Sequence, residues 1–172
     1  MPKKESAKPA TAADKKGKRP TPWDGKYPVH PIELTVAHVG FGGNAGKGHY
    51  FYSFAPDVVT FQQPGGLWIE YVFEVQVPER FEIVNVLTSD AKDQIGPPVF
   101  DPPEKKDVYR RRVYLFNRNT ESTLIFFTVL VRDKLSNYND VQLISCDPQV
   151  GNDPQIVPGT IKGDKAKKPK KG

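Results

Sequence analysis

Among its 172 residues the chain has one cysteine, Cys146. An internal disulfide is therefore excluded, and with it any fold that depends on an oxidising compartment. There are three histidines, His30, His38 and His49, and no HxH, HExxH or CxxC spacing, so no zinc site can be assembled from spacing and no metal is expected. Long apolar runs are missing too. The longest, from Leu124 to Val131, falls far short of the roughly 20 residues a membrane helix needs. The positively charged N-terminus is followed by Ala-Lys-Pro-Ala-Thr-Ala-Ala-Asp at 7–14 rather than by an apolar segment. A secretory signal is not expected, and the expected compartment is the cytoplasm.

Charge is plentiful but unevenly spread. Residues 1–26 carry eight Lys/Arg against three acidic residues, and 159–172 carry six lysines against Asp164. Each end is +5 while the whole chain is +5, so the part between is acidic, at −5. A basic nucleic-acid-binding surface on the folded body is thus not expected. The two ends contain mainly Lys, Ala, Pro, Thr and Gly without apolar periodicity, and such segments cannot bury enough surface to offset their ordering entropy. The expected organisation is a disordered basic tail at 1–26, one domain at 27–158, and a disordered lysine-rich tail at 159–172.

Within the domain, seventeen prolines and fourteen glycines over the whole chain leave no window for a long helix, and apolar residues recur with a period near two. Strands are predicted at 32–39, 58–62, 67–77, 81–88, 108–116, 123–132 and 141–146, with a last piece at 155–157. Seven or eight short strands separated by turn chemistry define an all-β fold, an antiparallel Ig-like sandwich of two sheets. Leu67, Ile69, Tyr71, Phe73, Val75 and Val77 alternate with Glu70, Glu74 and Gln76. With the turn residues Pro78-Glu79-Arg80, the stretch 67–88 reads as a hairpin.

One strand breaks the alternation. Ile125, Phe127, Val129 and Val131 lie on one face of 123–131, and Leu124, Phe126 and Leu130 on the other. A sandwich covers only one face of a strand, so the second face is expected to meet either the 90–106 loop or another chain. Leu124, Phe126 and Leu130 are the candidate protein interface.

The remaining motifs have structural readings. The run 40–48, Gly-Phe-Gly-Gly-Asn-Ala-Gly-Lys-Gly, lacks the first P-loop glycine, where Phe41 stands, and the Mg²⁺-binding Ser/Thr, where Gly48 stands. It also opens no helix for a dinucleotide. It is expected to be a mobile inter-strand loop, and no cofactor is expected. His38, with the parity of Ile32, Leu34 and Val36, is expected at the core end of its strand. Cys146 reads as a small apolar residue rather than a nucleophile, since no oriented base is evident. Arg110 and Arg112 share a strand face and are candidate anion contacts, with pairing to acidic neighbours as the competing reading. Lys167, Lys168, Lys170 and Lys171 are further candidate anion contacts. Asp147, Pro148, Asn152, Asp153 and Pro154 form a compact pattern of two Asp-Pro pairs around Gly-Asn, suited to Asx-turns where the chain leaves a sheet edge.

This Asp147-Pro148…Asp153-Pro154 segment, at the end of a small all-β domain, resembles the bacterial DP-EP family, with Asp153 where that family's name implies Glu. The resemblance implies a bacterial β-sandwich of about the length of 28–158 and implies no reaction.

No acid/base pair, nucleophile or metal cluster emerges from spacing, so an enzyme is not expected. The favoured function is a protein-binding or self-assembling β-sandwich module. The alternative is a polyanion-binding accessory protein acting through its lysine-rich tails. The tails carry lysines without interleaved aromatics, so they can neutralise phosphates but cannot stack on bases. Retention on random DNA should therefore fall on the order of a thousandfold for a fourfold rise in salt, as roughly five phosphate contacts dictate. It should also vanish when both tails are removed. Salt-insensitive retention would place the contact on the folded body instead.

Overall fold

The computed structural model of the chain describes residues 20–101, 110–137 and 143–154. These contain ten strands: β1 (Val29–His38), β2 (Tyr50–Ala55), β3 (Val58–Phe61), β4 (Leu67–Phe73), β5 (Phe81–Thr88), β6 (Val99–Asp101), β7 (Arg112–Asn117), β8 (Thr123–Asp133), β9 (Ile144–Cys146) and β10 (Gln149–Asn152). The first sheet has the order β2-β1-β4-β7-β6 and the second β3-β10-β8-β5, with β9 also on β8. The two pack face to face as a sandwich. The alternation behind the strand predictions is what fills the space between them: Ile32, Leu34 and Val36 of β1 and Ile69, Tyr71 and Phe73 of β4 are buried from one side, Ile125, Phe127, Val129 and Val131 of β8 from the other. Tyr71 and Phe127 meet across the interior with ring centroids 6.0 Å apart.

The sheets are mixed rather than antiparallel throughout. β1 pairs with β4, and β10 with β3, in parallel. The cause is that the chain repeatedly changes sheets, so that a strand returns beside an earlier one from the same direction. The predicted 67–88 hairpin is one such crossing. β4 lies in the first sheet and β5 in the second, and the connection dips Val77 into the core while leaving Val75 fully exposed. Arg111 fastens it by donating to the carbonyls of Val77 at 2.7 Å and Pro78 at 3.0 Å, with its guanidinium over the Phe73 ring. Periodicity cannot distinguish a chain that turns back within a sheet from one that crosses to the other.

The two-Asp-Pro segment also differs from expectation. Cys146 faces Val129 and Gln149 faces Phe126, so β9 and β10 keep one register along β8, interrupted at Asp147-Pro148. Pro148 has no N–H to donate, but its carbonyl still accepts from Phe127 N–H at 3.1 Å. The chain then does not leave the sheet. It inserts 149–152 between β8 and β3. The predicted piece at 155–157 lies outside the described residues.

Residues 20–26, assigned by composition to a tail, pack on the outer face of the first sheet. Asp24 accepts the N–H groups of Thr21 at 3.0 Å and Lys26 at 2.9 Å, closing a turn. Pro22 is buried, and Trp23 lies edge-on to Tyr114 at 5.8 Å and Tyr27 to Phe116 at 4.8 Å. This strap reaches the same Phe116 ring that Trp68 meets at 5.2 Å, and Trp68, which faces away from the core, is only 2% exposed. Two aromatic residues in a charged, proline-rich stretch are enough to dock it. Trp23→Ala, or removal of 1–26, should therefore lower the melting temperature by about 4 °C or more, corresponding to about 1 kcal/mol from the lost aromatic pairing. An unchanged thermal melt would show that the strap contributes nothing.

Candidate functional site

The outer face of the second sheet carries the exposed apolar side chains that the β8 pattern predicted. Because β8 is buried on its inner face, alternation sends Leu124, Phe126 and Leu130 outward. Leu124 and Phe126 are 53% and 49% exposed, and Leu130 is half-buried. The neighbouring strands extend the patch. Gln149 of β10 pairs with Phe126 and with Val58 of β3, and Val58 is exposed beside it. The next rung pairs Leu124 with Gly151 and Thr60, and glycine offers no side chain to cover the leucine. On the other flank Leu87 of β5 lies opposite Thr128 and is also exposed.

Leu87 and Val58 were missed by sequence reasoning. A register shift between Ile83 and Asn85 inverts the parity of β5, turning Val86 inward and Leu87 outward. A bulge of this kind leaves no period-two signal. For Val58, the information lay in the pairing of β3 with β10, which no local pattern encodes. The 90–106 loop was one expected cover for this face. Its described part, 90–101, instead pairs along β7 through β6 and an Ile95–Asn117 bridge, at the edge of the opposite sheet. Among the described residues nothing covers Leu124 or Phe126.

Of the candidate anion contacts, Arg110 and Arg112 are described, and each has a partner within the fold. Arg112 forms an ion pair with Glu70 at 3.2 Å and reaches the Tyr114 hydroxyl, and Arg110 lies over the Phe100 ring at 4.5 Å. Lys167, Lys168, Lys170 and Lys171 lie outside the described residues. In the last motif, Asn152 is buried in a reciprocal pair with Asn117 of β7: each carboxamide N–H donates to the other's oxygen, at 2.9 and 2.7 Å. Asp153 donates its N–H to the Phe61 carbonyl at 2.9 Å and accepts from Ser122 Oγ at 3.4 Å. Asp147 is exposed, Pro148 buried and Pro154 half-buried. These residues thus tie β10 into the sandwich.

His38 is exposed rather than at the core end of its strand, with its ring edge-on to Tyr50 at 5.3 Å. The thiol of Cys146 is fully buried, and that burial, with the nearby Asp147 charge, pushes its pKa well up, the opposite of an activated nucleophile. Among the described residues no three His, Cys, Asp or Glu side chains are grouped to hold a metal ion, and no helix is long and apolar enough to cross a membrane. An open cleft of about 420 Å³ between the start of β1 and the 62–66 turn is lined by His30, Phe61, Gln62 and Gln63, with no charged side chain on its wall.

One buried charge stands out. Asp133, whose side chain is 1% exposed, accepts from two of the three Arg80 guanidinium nitrogens, Nε at 2.7 Å and Nη2. It also accepts from Tyr50 OH and Leu135 N–H, each at 3.0 Å. Burial alone would raise its pKa, but these donors outweigh it and hold the carboxyl below its ordinary value. The cluster pins the ends of β2 and β8 and the start of β5.

Neither a family model nor a curated protein matches the sequence.

The depressed Asp133 pKa has a definite sign. The ionised form stabilises the fold above the unfolded carboxyl value of about 3.9, and the contribution is lost as pH falls through the lower folded value. Asp133→Asn should reduce stability by about 3–5 kcal/mol at pH 7, as expected for breaking a buried pair. The gap between it and the wild type should narrow at pH 3. Urea unfolding at the two pH values measures both, and a gap independent of pH would rule out an electrostatic role.

Proposed function

We propose that this protein is a non-enzymatic binding module that assembles through the outer face of its second sheet, with a second copy of the chain as the first partner to test. The observation that supports this reading is the set of apolar side chains Val58, Leu124, Phe126 and Leu87, exposed on one face across β3, β8 and β5. Single exposed apolar residues are common on protein surfaces, whereas a patch spanning several strands is a recurrent mark of a contact surface. Its counterpart on the first sheet is met by the 20–28 strap, whereas among the described residues no segment covers Leu124 or Phe126 of the second.

The remaining parts of the reading are a cytoplasmic setting, compatible with a lone buried thiol, and the bacterial DP-EP relationship. The latter rests on residues 147–154 alone. Their fold role, carrying one register along β8 past a proline, is a structural reason for such a motif that requires no chemistry.

The wild-type protein should show an average mass in light scattering above that of a 19.3 kDa monomer, falling towards it on dilution. Phe126→Lys should remain folded, because the side chain is half exposed, and should stay monomeric at all concentrations. A wild-type chain that is monomeric over a wide concentration range rules out self-assembly, and a Phe126→Lys protein that unfolds shows that this face is covered from within.

A further inference from the structure

The glycine-rich run 40–48 makes a specific contact with the edge of the first sheet. Among the described strands β2 ends that sheet, with β1 on one side only. On its other side, the Asn44 side chain accepts the Tyr52 N–H at Oδ1 and donates from Nδ2 to the Tyr52 carbonyl, both at 2.8 Å. Two such bonds to one residue are what a paired residue of an adjacent antiparallel strand would make. The preceding rung is made by real backbone: Ala45 N–H to the Tyr50 carbonyl at 3.0 Å, and Tyr50 N–H to the Ala45 carbonyl at 3.2 Å. The loop therefore extends the sheet by two rungs, one of backbone and one of side chain.

Its glycines serve this approach. A Cβ on Gly43 would lie 1.9 Å from the Tyr50 carbonyl oxygen, so only glycine fits there. Gly42, Gly46 and Gly48 take positive φ, and Gly43 N–H closes the loop on the Gly48 carbonyl at 2.8 Å. The strand beneath needs a cover. From His49 to Ala55 the sequence is His-Tyr-Phe-Tyr-Ser-Phe-Ala, rich in aromatic residues and without the lysines, acidic residues or prolines that usually blunt a sheet edge.

We infer that the 40–48 loop is a built-in cover for the β2 edge, with Asn44 standing in for a neighbouring strand. When the cover is lifted, that edge pairs with β2 of a second copy. This edge is separate from the face on the second sheet, and the test keeps the two apart by using the full chain carrying Phe126→Lys.

In that background the parent should be monomeric. Adding Asn44→Ala should produce a species of twice the mass in concentration-dependent light scattering. Gly43→Ala, which leaves Asn44 intact but forces the loop off Tyr50, should do the same. Ser53→Lys, placing a charge on the exposed edge strand, should return the Asn44→Ala protein to a monomer. In dilute solution, hydrogen exchange at the Tyr52 amide should be on the order of tenfold faster in Asn44→Ala than in the parent, since its one partner has gone. If the Asn44→Ala and Gly43→Ala proteins both stay monomeric and Tyr52 exchange is unchanged, the cover is overturned. Faster exchange without a dimer overturns the pairing. A dimer that survives Ser53→Lys places the contact elsewhere and overturns the assignment to this edge.

Discussion

Two buried carboxamides, Asn117 and Asn152, set how the sheets of this sandwich sit on one another. Each lies on a strand of a different sheet, and each satisfies the other's donor and acceptor at 2.7 and 2.9 Å. Asn117 Oδ1 additionally accepts the Asn119 N–H at 3.0 Å. Apolar packing between sheets is non-directional and tolerates sliding. A buried polar pair tolerates almost none, because a displacement of an ångström or two leaves both groups desolvated and unpaired. The pair holds β10 in place, and β10 in turn carries β3, which has no other partner among the described strands.

The sandwich handles its two outer faces differently. The first sheet places Trp68, Tyr114 and Phe116 outward, and Trp23 and Tyr27 of the 20–28 strap meet Tyr114 and Phe116 edge-on. The second sheet turns Leu124, Phe126, Val58 and Leu87 outward, and no described segment reaches them. On this face the exposed apolar side chains are interleaved with the exposed Thr60 and Ser89 and with Gly151. Cys146 is sealed in the core, and the charge of Asp133 is neutralised by Arg80. Arg112 is paired with Glu70.

The edges follow the same division. β2, unprotected by its own composition, is shielded by a loop that glycine alone allows to approach so closely. Between the sheets, the carbonyls of Arg110 and Arg111 accept from Ile83 and Phe73, at 2.8 and 3.0 Å, and stitch the second sheet's β5 to the first sheet's β4. Both devices use backbone groups that would otherwise be left open at a sheet margin.

The amino-acid sequence by itself determined the all-β class, most of the strands and the doubly apolar character of β8, because these depend on a period of two that any half-buried strand must show. It also marked Asn152 and the Asp-Pro pairs as a unit. Tertiary structure decided the rest. It settled which sheet each strand joins, the parallel pairings, the insertion of β10, the bulge that turns Leu87 outward and the partner that Asn152 finds 35 residues away. It also recruited Trp23 from a stretch whose composition reads as a solvated tail. These outcomes rest on contacts between residues distant in sequence, where the energy comes from complementary surfaces and paired polar groups rather than from any local pattern. Local periodicity tells a residue which way to face, and only the assembled sheets tell it what it meets.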